Sequence, residues 1–169
     1  MGESSQKPGL RPFLPADVAA LVEIYQASVM ELAEEDYSEA QRSAWAEIAD
    51  DESFAKRLAE GLTLVATLEG SPVGFASLKN NEHVDFLYVH PDAAGQGVGA
   101  MLYDAVEKLA RARGAARLTV DASDTARLFF EQRGFMPQRR NTVSLGDEWL
   151  ANTTMEKRLT APEGERRPS

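Results

Sequence analysis

A chain of 169 residues, 43% hydrophobic and 27% charged, is sized for one globular domain with its own core. It has no cysteine, which excludes disulfides, thiolate metal sites and a cysteine nucleophile, and suits a reducing cytoplasm. The net charge is −9, and the basic residues gather only into pairs such as Arg139-Arg140 and Arg166-Arg167, which argues against a nucleic-acid partner. No apolar run reaches membrane-spanning length and the N-terminus lacks a signal-peptide core, so a soluble cytoplasmic protein is expected.

In chain order, Leu10 to Leu14 reads as an edge strand, where the proline at position 12 is tolerated. A helix is expected from Pro15, with Val18, Leu21, Val22, Ile24, Tyr25, Val29 and Leu32 at helical spacing. Glu31, Glu34, Glu35 and Asp36 give it an acidic end, either a solvated helix terminus or a wall for an amine. Ser38 to Gln41 fits a capping box for a second helix carrying Ala44, Trp45 and Ile48, and a short helix from Phe54 to Glu60 stops at Gly61.

The hydrophobic period then changes. Leu62 to Leu68, Val73 to Leu78 and His83 to Val89 are strand-like runs separated by turn residues, an antiparallel meander. Val98 to Arg113 is a well-patterned amphipathic helix closed by Gly114, and Arg117 to Asp121 is a strand parallel to the one before the helix. Ser123 is placed to cap a further helix with Phe129 and Phe130. Met136 to Leu145 and Glu148 to Leu159 form a hairpin about Gly146-Asp147. One domain spans 10–159, with flexible tails at 1–9 and 160–169.

The run Asp85-Phe86-Leu87-Tyr88-Val89-His90-Pro91 leads through Gly95-Gln96-Gly97-Val98-Gly99-Ala100 into that amphipathic helix. A glycine turn at a helix start presents backbone N–H groups to phosphate oxygens. A Walker loop needs Lys-Ser or Lys-Thr after its last glycine, and Ala100-Met101 stands there instead. The dinucleotide fingerprint is met by Gly95, Gly97 and Ala100, with Asp121 about 20 residues on as a ribose acid. Against it, Pro91 and several loop residues separate the turn from the strand, and only one parallel crossover is present. A turn that merely packs a helix on a strand is the remaining plain reading.

Val89-His90-Pro91 followed by Gly95 to Leu102 resembles the acyl-CoA loop of the GNAT-type (GCN5-related) N-acetyltransferases. Ser123 to Phe135 resembles the family's second motif, N-x-x-A-x-x-x-Y-x-x-x-G-F, and the element order from Leu10 to Leu159 matches throughout. The resemblance implies an α/β fold: a mixed, mostly antiparallel sheet of about seven strands with helices on both faces. It implies acetyl-CoA as co-substrate, no metal, and direct transfer to an amine, with a small-molecule acceptor expected. An acyl-CoA-binding module with little catalysis, or a protein lysine or N-terminal acetyltransferase, are the alternatives. The protein is expected to be a monomer or homodimer, and Asn152 to Glu156 is a strand that could pair between copies.

By the same resemblance, Leu87, Tyr88 and Val89 hold the pantetheine arm, and Gly95, Gln96, Gly97, Val98, Gly99 and Ala100 hold the pyrophosphate. Ser123 and Phe130 occupy the second motif's cofactor-side positions. Three residues depart from the pattern: Ala94 where glutamine or arginine is usual, Ser123 for asparagine, and Phe130 for the tyrosine often assigned to protonate the CoA thiolate. Tyr103 is a substitute acid candidate. The family's glutamate base maps to His83, and strand alternation places His83, Asp85 and Leu87 on one face, so Asp85 could hold or polarise the imidazole. A helix carboxylate such as Glu34 or Asp36 is the fallback base, and His90 reads as surface. Asp36, Tyr37 and Trp45 fall in the region that closes over the acceptor.

Overall fold

The computed structural model describes residues 7–159; of the tails expected at 1–9 and 160–169, residues 1–6 and 160–169 lie outside them, whereas Pro8 and Gly9 already belong to the first strand. Seven strands form one sheet in the order β1-β2-β3-β4-β5-β7-β6. They are β1 (Pro8–Pro12), β2 (Leu62–Leu68), β3 (Ser71–Lys79), β4 (His83–Val89), β5 (Arg117–Ser123), β6 (Met136–Leu145) and β7 (Glu148–Arg158). Every neighbouring pair is antiparallel except β4 with β5. The helix between those two is α4 (Val98–Ala112), the expected crossover.

The other helices are α1 (Val18–Leu32), α2 (Glu39–Ala46), α3 (Glu52–Glu60) and the short α5 (Arg127–Glu131). Leu21, Ile24 and Tyr25 of α1 pack with Phe54 and Leu58 of α3 against Val65, Phe75 and Phe86 on one face of the sheet. Leu102, Val106 and Ala110 of α4 and Phe130 of α5 pack against Ala76, Leu78, Leu118 and Met155 on the other. Burying each large apolar side chain contributes roughly 1.5–3 kcal/mol, so these two layers clamp the sheet from both sides.

The local signals explain most boundaries. The capping box forms as its sequence dictates: Gln41 N donates to Ser38 Oγ at 3.1 Å and Ser38 N donates to Gln41 Oε1 at 2.8 Å. The first strand sits two residues earlier than the pattern predicts. Leu14 is drawn out of it because its N–H donates to Asp17 Oδ2 at 2.8 Å, while Arg11 grips both oxygens of the same carboxylate at 2.8 Å. The Arg11 hydrogen bonds hold the Asp17 carboxyl below its ordinary value against the effect of burial. Ser123 ends β5, and its hydroxyl accepts from Ala126 N at 3.1 Å. It therefore closes the turn into α5 and does not cap the helix itself, whose N-cap is Ala126.

The strand order also corrects the expected pairing edge. β7 lies between β5 and β6, so Asn152 to Glu156 already pair on both sides. Among the described residues no helix is long and apolar enough to cross a membrane.

One polar cluster ties β7 to α4. Glu107 accepts from Tyr103 Oη at 2.6 Å, Lys157 Nζ at 2.7 Å and Arg111 Nε at 2.9 Å. Burial opposes ionisation of Glu107, yet the bonds from Lys157, Tyr103 and Arg111 together outweigh it and hold the carboxyl down at about 2. A carboxyl depressed on folding stabilises the native state above its unfolded pKa, and that contribution is lost as pH falls through the folded value. Between about pH 4.5 and 2 the protein is expected to lose stability, and Glu107→Gln should flatten that part of a Tm-against-pH curve. An equally steep curve in the variant would place the acid sensitivity elsewhere.

Candidate active site

The parallel pairing of β4 with β5 is brief: only His83 with Thr119 and Val84 with Val120. Beyond that point β4 stays with β3 up to Val89, whereas β5 stays with β7 up to Ser123. The two strands therefore diverge from Asp85 onwards, and the β5-facing backbone of Leu87 to Val89 has no strand to bond. A cleft of about 240 Å³ opens there. Its walls come from β4 and β5, from Tyr25, Tyr37, Trp45 and Ile48 beneath, and from Val143, Leu145 and Leu150 of the final hairpin.

His83, Asp85, Leu87, Tyr88, Ser123, Phe130, Tyr37 and Trp45 all line this cleft. The relation expected between His83 and Asp85 is not formed. The register slips between Ser77 and Leu78: Ser77 faces Phe86 and Leu78 faces Val84, leaving Asp85 as a bulge residue. Parity breaks there. Val84 packs with Leu87 and Val89 on the α4 face, while Phe86 and Tyr88 pack on the α1 face.

Asp85 turns towards α3, where Arg57 Nη2 donates to Oδ1 at 3.0 Å and Nε to Oδ2 at 3.3 Å. Asp85 and Leu87 thus do not share a face, and Asp85 does not hold the imidazole. The partners of His83 come from β5: Nδ1 lies 2.8 Å from Thr119 Oγ1, and Nε2 lies 4.0 Å from Asp121 Oδ2. With Nδ1–H donated to the threonine, Nε2 keeps its lone pair and faces the Asp121 carboxylate.

Asp36 is exposed, accepts from Thr125 Oγ1 at 2.8 Å, and does not line the cleft; neither do Glu31, Glu34 and Glu35. Tyr37 does, but its hydroxyl is spent on backbone, donating to Ala151 O at 2.7 Å and accepting from Asp124 N at 2.9 Å. It is a strut between the α1–α2 connection, β7 and the β5–α5 turn. Trp45 meets the Tyr37 ring edge-on at 5.3 Å. Tyr103 lies outside the cleft; burial and donation to Glu107 push its phenol well above the usual range, so it is no substitute acid. His90 accepts from Asp92 N at 3.1 Å and caps the turn after β4, away from the cleft.

Tyr88 lies 4.7 Å from Tyr25, centroid to centroid, in the aromatic floor beneath the cleft. Burial pushes its phenol up to about 12. Arg57 and Thr119 were not singled out by sequence reasoning, and Asp121 was read only as the ribose acid of the dinucleotide fingerprint. The one available signal was Asp85 itself, an acid in an apolar strand that needs a cation.

The glycine turn leads into α4 with the geometry a phosphate cradle requires. Gly97 is the helix N-cap at φ 82°, no side chain caps the helix, and nothing lies within 4 Å of where a Gly97 Cβ would stand. Val98, Gly99 and Ala100 therefore present N–H groups with no intrahelical acceptor at the positive end of a 15-residue helix. Gln96 is exposed, its amide donating to Asp92 O at 3.3 Å. The single parallel pair also excludes the dinucleotide reading, which needs a mostly parallel sheet.

A divergent pair of parallel strands, with an uncapped glycine turn following the first, defines the class. The family described as Acetyltransferase (GNAT) domain matches residues 33–159. The N-acetyltransferase YafP of Escherichia coli is 34% identical over 146 residues, which cover 86% of this chain and 93% of YafP. The crystal structure of a GCN5-related N-acetyltransferase from Rhodopseudomonas palustris is 60% identical, with a TM-score of 0.88 over 90% of this chain and 96% of that one. The structure of yncA from Salmonella typhimurium, solved with its cofactor acetyl-CoA, is 25% identical, with a TM-score of 0.63 over 91% of this chain and 95% of that one. The chain belongs to the GNAT acetyltransferase family, and it is an acyltransferase.

Proposed function

We propose that this protein moves an acetyl group from acetyl-CoA to a primary amine of a small molecule, by direct transfer within residues 10–159. The observation that carries this reading is the cleft between β4 and β5, into which His83 and the unpaired backbone of β4 converge. The residues present suit acetyl-CoA: the N–H groups of Val98, Gly99 and Ala100 for its pyrophosphate, and the free β4 edge at Leu87 to Val89 for its amide-bearing arm. Losing the side chain at Ala94 leaves that backbone cradle intact.

Bound acetyl-CoA supplies an electrophilic thioester carbonyl and a thiolate leaving group. In our reading the backbone N–H groups of the β4 edge orient and polarise that carbonyl. His83 Nε2 takes the proton that the amine gives up as its nitrogen attacks, and Asp121 stabilises the resulting imidazolium. Phe130 has no proton to give, so the departing thiolate is protonated from solvent; a thiolate is a tolerable leaving group without an acid. With no cysteine in the chain, an acyl-thioenzyme has no residue to form on.

A panel of primary amines with acetyl-CoA, followed by thiol release, tests the assignment. At least one amine is expected to release thiol well above the hydrolytic background. Tight acetyl-CoA binding with no amine exceeding water would favour the binding module instead.

A further inference from the structure

The acceptor end of the cleft carries a charge pattern that the overall net charge conceals. Among the described residues lining it, the charged or titratable side chains other than tyrosine are Arg57, His83, Asp85 and Asp121. The acidic run near Asp36 is outside, and Asp85 is neutralised by Arg57. Arg57 is the one lysine or arginine among the lining residues. With Asp85 paired to it, Asp121 beside His83 is the one carboxylate left over in the lining, so the cleft holds no cluster of acids for a polycation.

The guanidinium of Arg57 is fixed in a particular way. Its Nε and Nη2 bind the two oxygens of Asp85 side-on. Its Cζ stands 4.3 Å from the centroid of the Phe86 ring, which holds the plane against the cleft floor. The side chain is 41% exposed, and Nη1 has no hydrogen-bond partner among the described residues. A guanidinium offers two forked edges to carboxylates. Asp85 fills one, leaving the Nη1–Nη2 edge open. Asp85 is two residues from His83 on β4, and both Arg57 and His83 line the same cleft. Around them the wall is apolar or aromatic: Trp45, Ile48, Tyr88, Leu145 and Leu150.

We propose that Arg57 anchors a free carboxylate on the acceptor, so that the amine acetylated here belongs to an amino acid with an apolar or aromatic side chain. This rests on the acetyl-transfer reading above. Asp85 serves as the positioning residue that holds the guanidinium flat on Phe86 with its outer edge presented. The acceptor's carboxylate docks on that edge, its amine faces His83, and its side chain lies on the Trp45–Leu150 wall.

Matched pairs differing only in the carboxylate provide the test: phenylalanine against phenethylamine, and tryptophan against tryptamine. The wild type is expected to favour the amino acid in kcat/KM by roughly 10- to 100-fold, the scale of a bidentate charge-assisted contact. The double variant R57Q/D85N removes the cation without stranding a buried carboxylate, and its ratio should fall towards one. R57K keeps the pairing with Asp85 but loses the planar fork, and it should lose most of the preference as well. A wild type that prefers the decarboxylated amines, or a ratio the variants leave untouched, overturns the proposal. Calorimetry with N-acetylphenylalanine and N-acetylphenethylamine separates this from the catalytic reading. Tighter binding of the carboxylate-bearing compound, abolished in R57Q/D85N, upholds the anchor even in a protein that transfers no acetyl group. Equal binding of the two sinks it.

Discussion

Replacing His83 by alanine is expected to lower kcat by about 10²- to 10⁴-fold, the usual contribution of a positioned general base, while leaving acetyl-CoA affinity within a few-fold of the wild type. The expectation follows from what the ring does and does not touch. It lines the cleft, leans on Thr119 through Nδ1, and turns Nε2 towards Asp121, but it lies at the opposite end of β4 from the glycine turn. Steady-state rates of both proteins at saturating acetyl-CoA and amine, beside calorimetric titration with acetyl-CoA, check this. An unchanged rate in the variant would remove His83 from the chemistry.

The second large effect is expected at Gly97, and it should have the opposite signature. Gly97 sits at φ 82°, in the left-handed region where a β-branched side chain is strained even with open space around it. Valine there either pays roughly 1–3 kcal/mol in backbone strain or reorganises the turn, which re-aims the N–H groups of Val98, Gly99 and Ala100. Gly97→Val should raise the Kd for CoA by about 10- to 100-fold while kcat at saturating acetyl-CoA changes little. Calorimetric titration with CoA reads this directly. A variant binding CoA as tightly as the wild type would mean that the phosphates are held elsewhere. His83 and Gly97 thus divide rate from affinity.

Much of the fold is legible in the sequence where signals are local. The meander from Leu62 to Val89 is bracketed by turn residues, and Glu69, Asn80 and Asn81 do take the positive φ such turns require. The Ser38–Gln41 box and the α4 stripe work in the same way. The glycine turn is legible because its residues are contiguous. The site is less so, because its contacts depend on register. Nothing in His83-Val84-Asp85-Phe86 announces that Asp85 is a bulge; that depends on how β3 pairs with β4.

Once parity breaks, the apparent His83–Asp85 pair separates into two units, His83 with Thr119 and Asp121, and Asp85 with Arg57. Partners supplied by α3 and β5 are about 28 to 38 residues away from the β4 side chains they serve. Acidic residues near Asp36 looked like an acceptor wall because they are close in sequence to Tyr37, yet a single turn separates a side chain in the cleft from one on the surface.

The central claim is that acetyl passes straight from acetyl-CoA to an amine held beside His83. Initial rates measured while acetyl-CoA and an accepted amine are varied together test it most directly. Intersecting double-reciprocal lines, with no acetylated protein detected by mass spectrometry after incubation with acetyl-CoA alone, are the predicted result. Parallel lines accompanied by an acetylated protein that passes its acetyl group to the amine would contradict it.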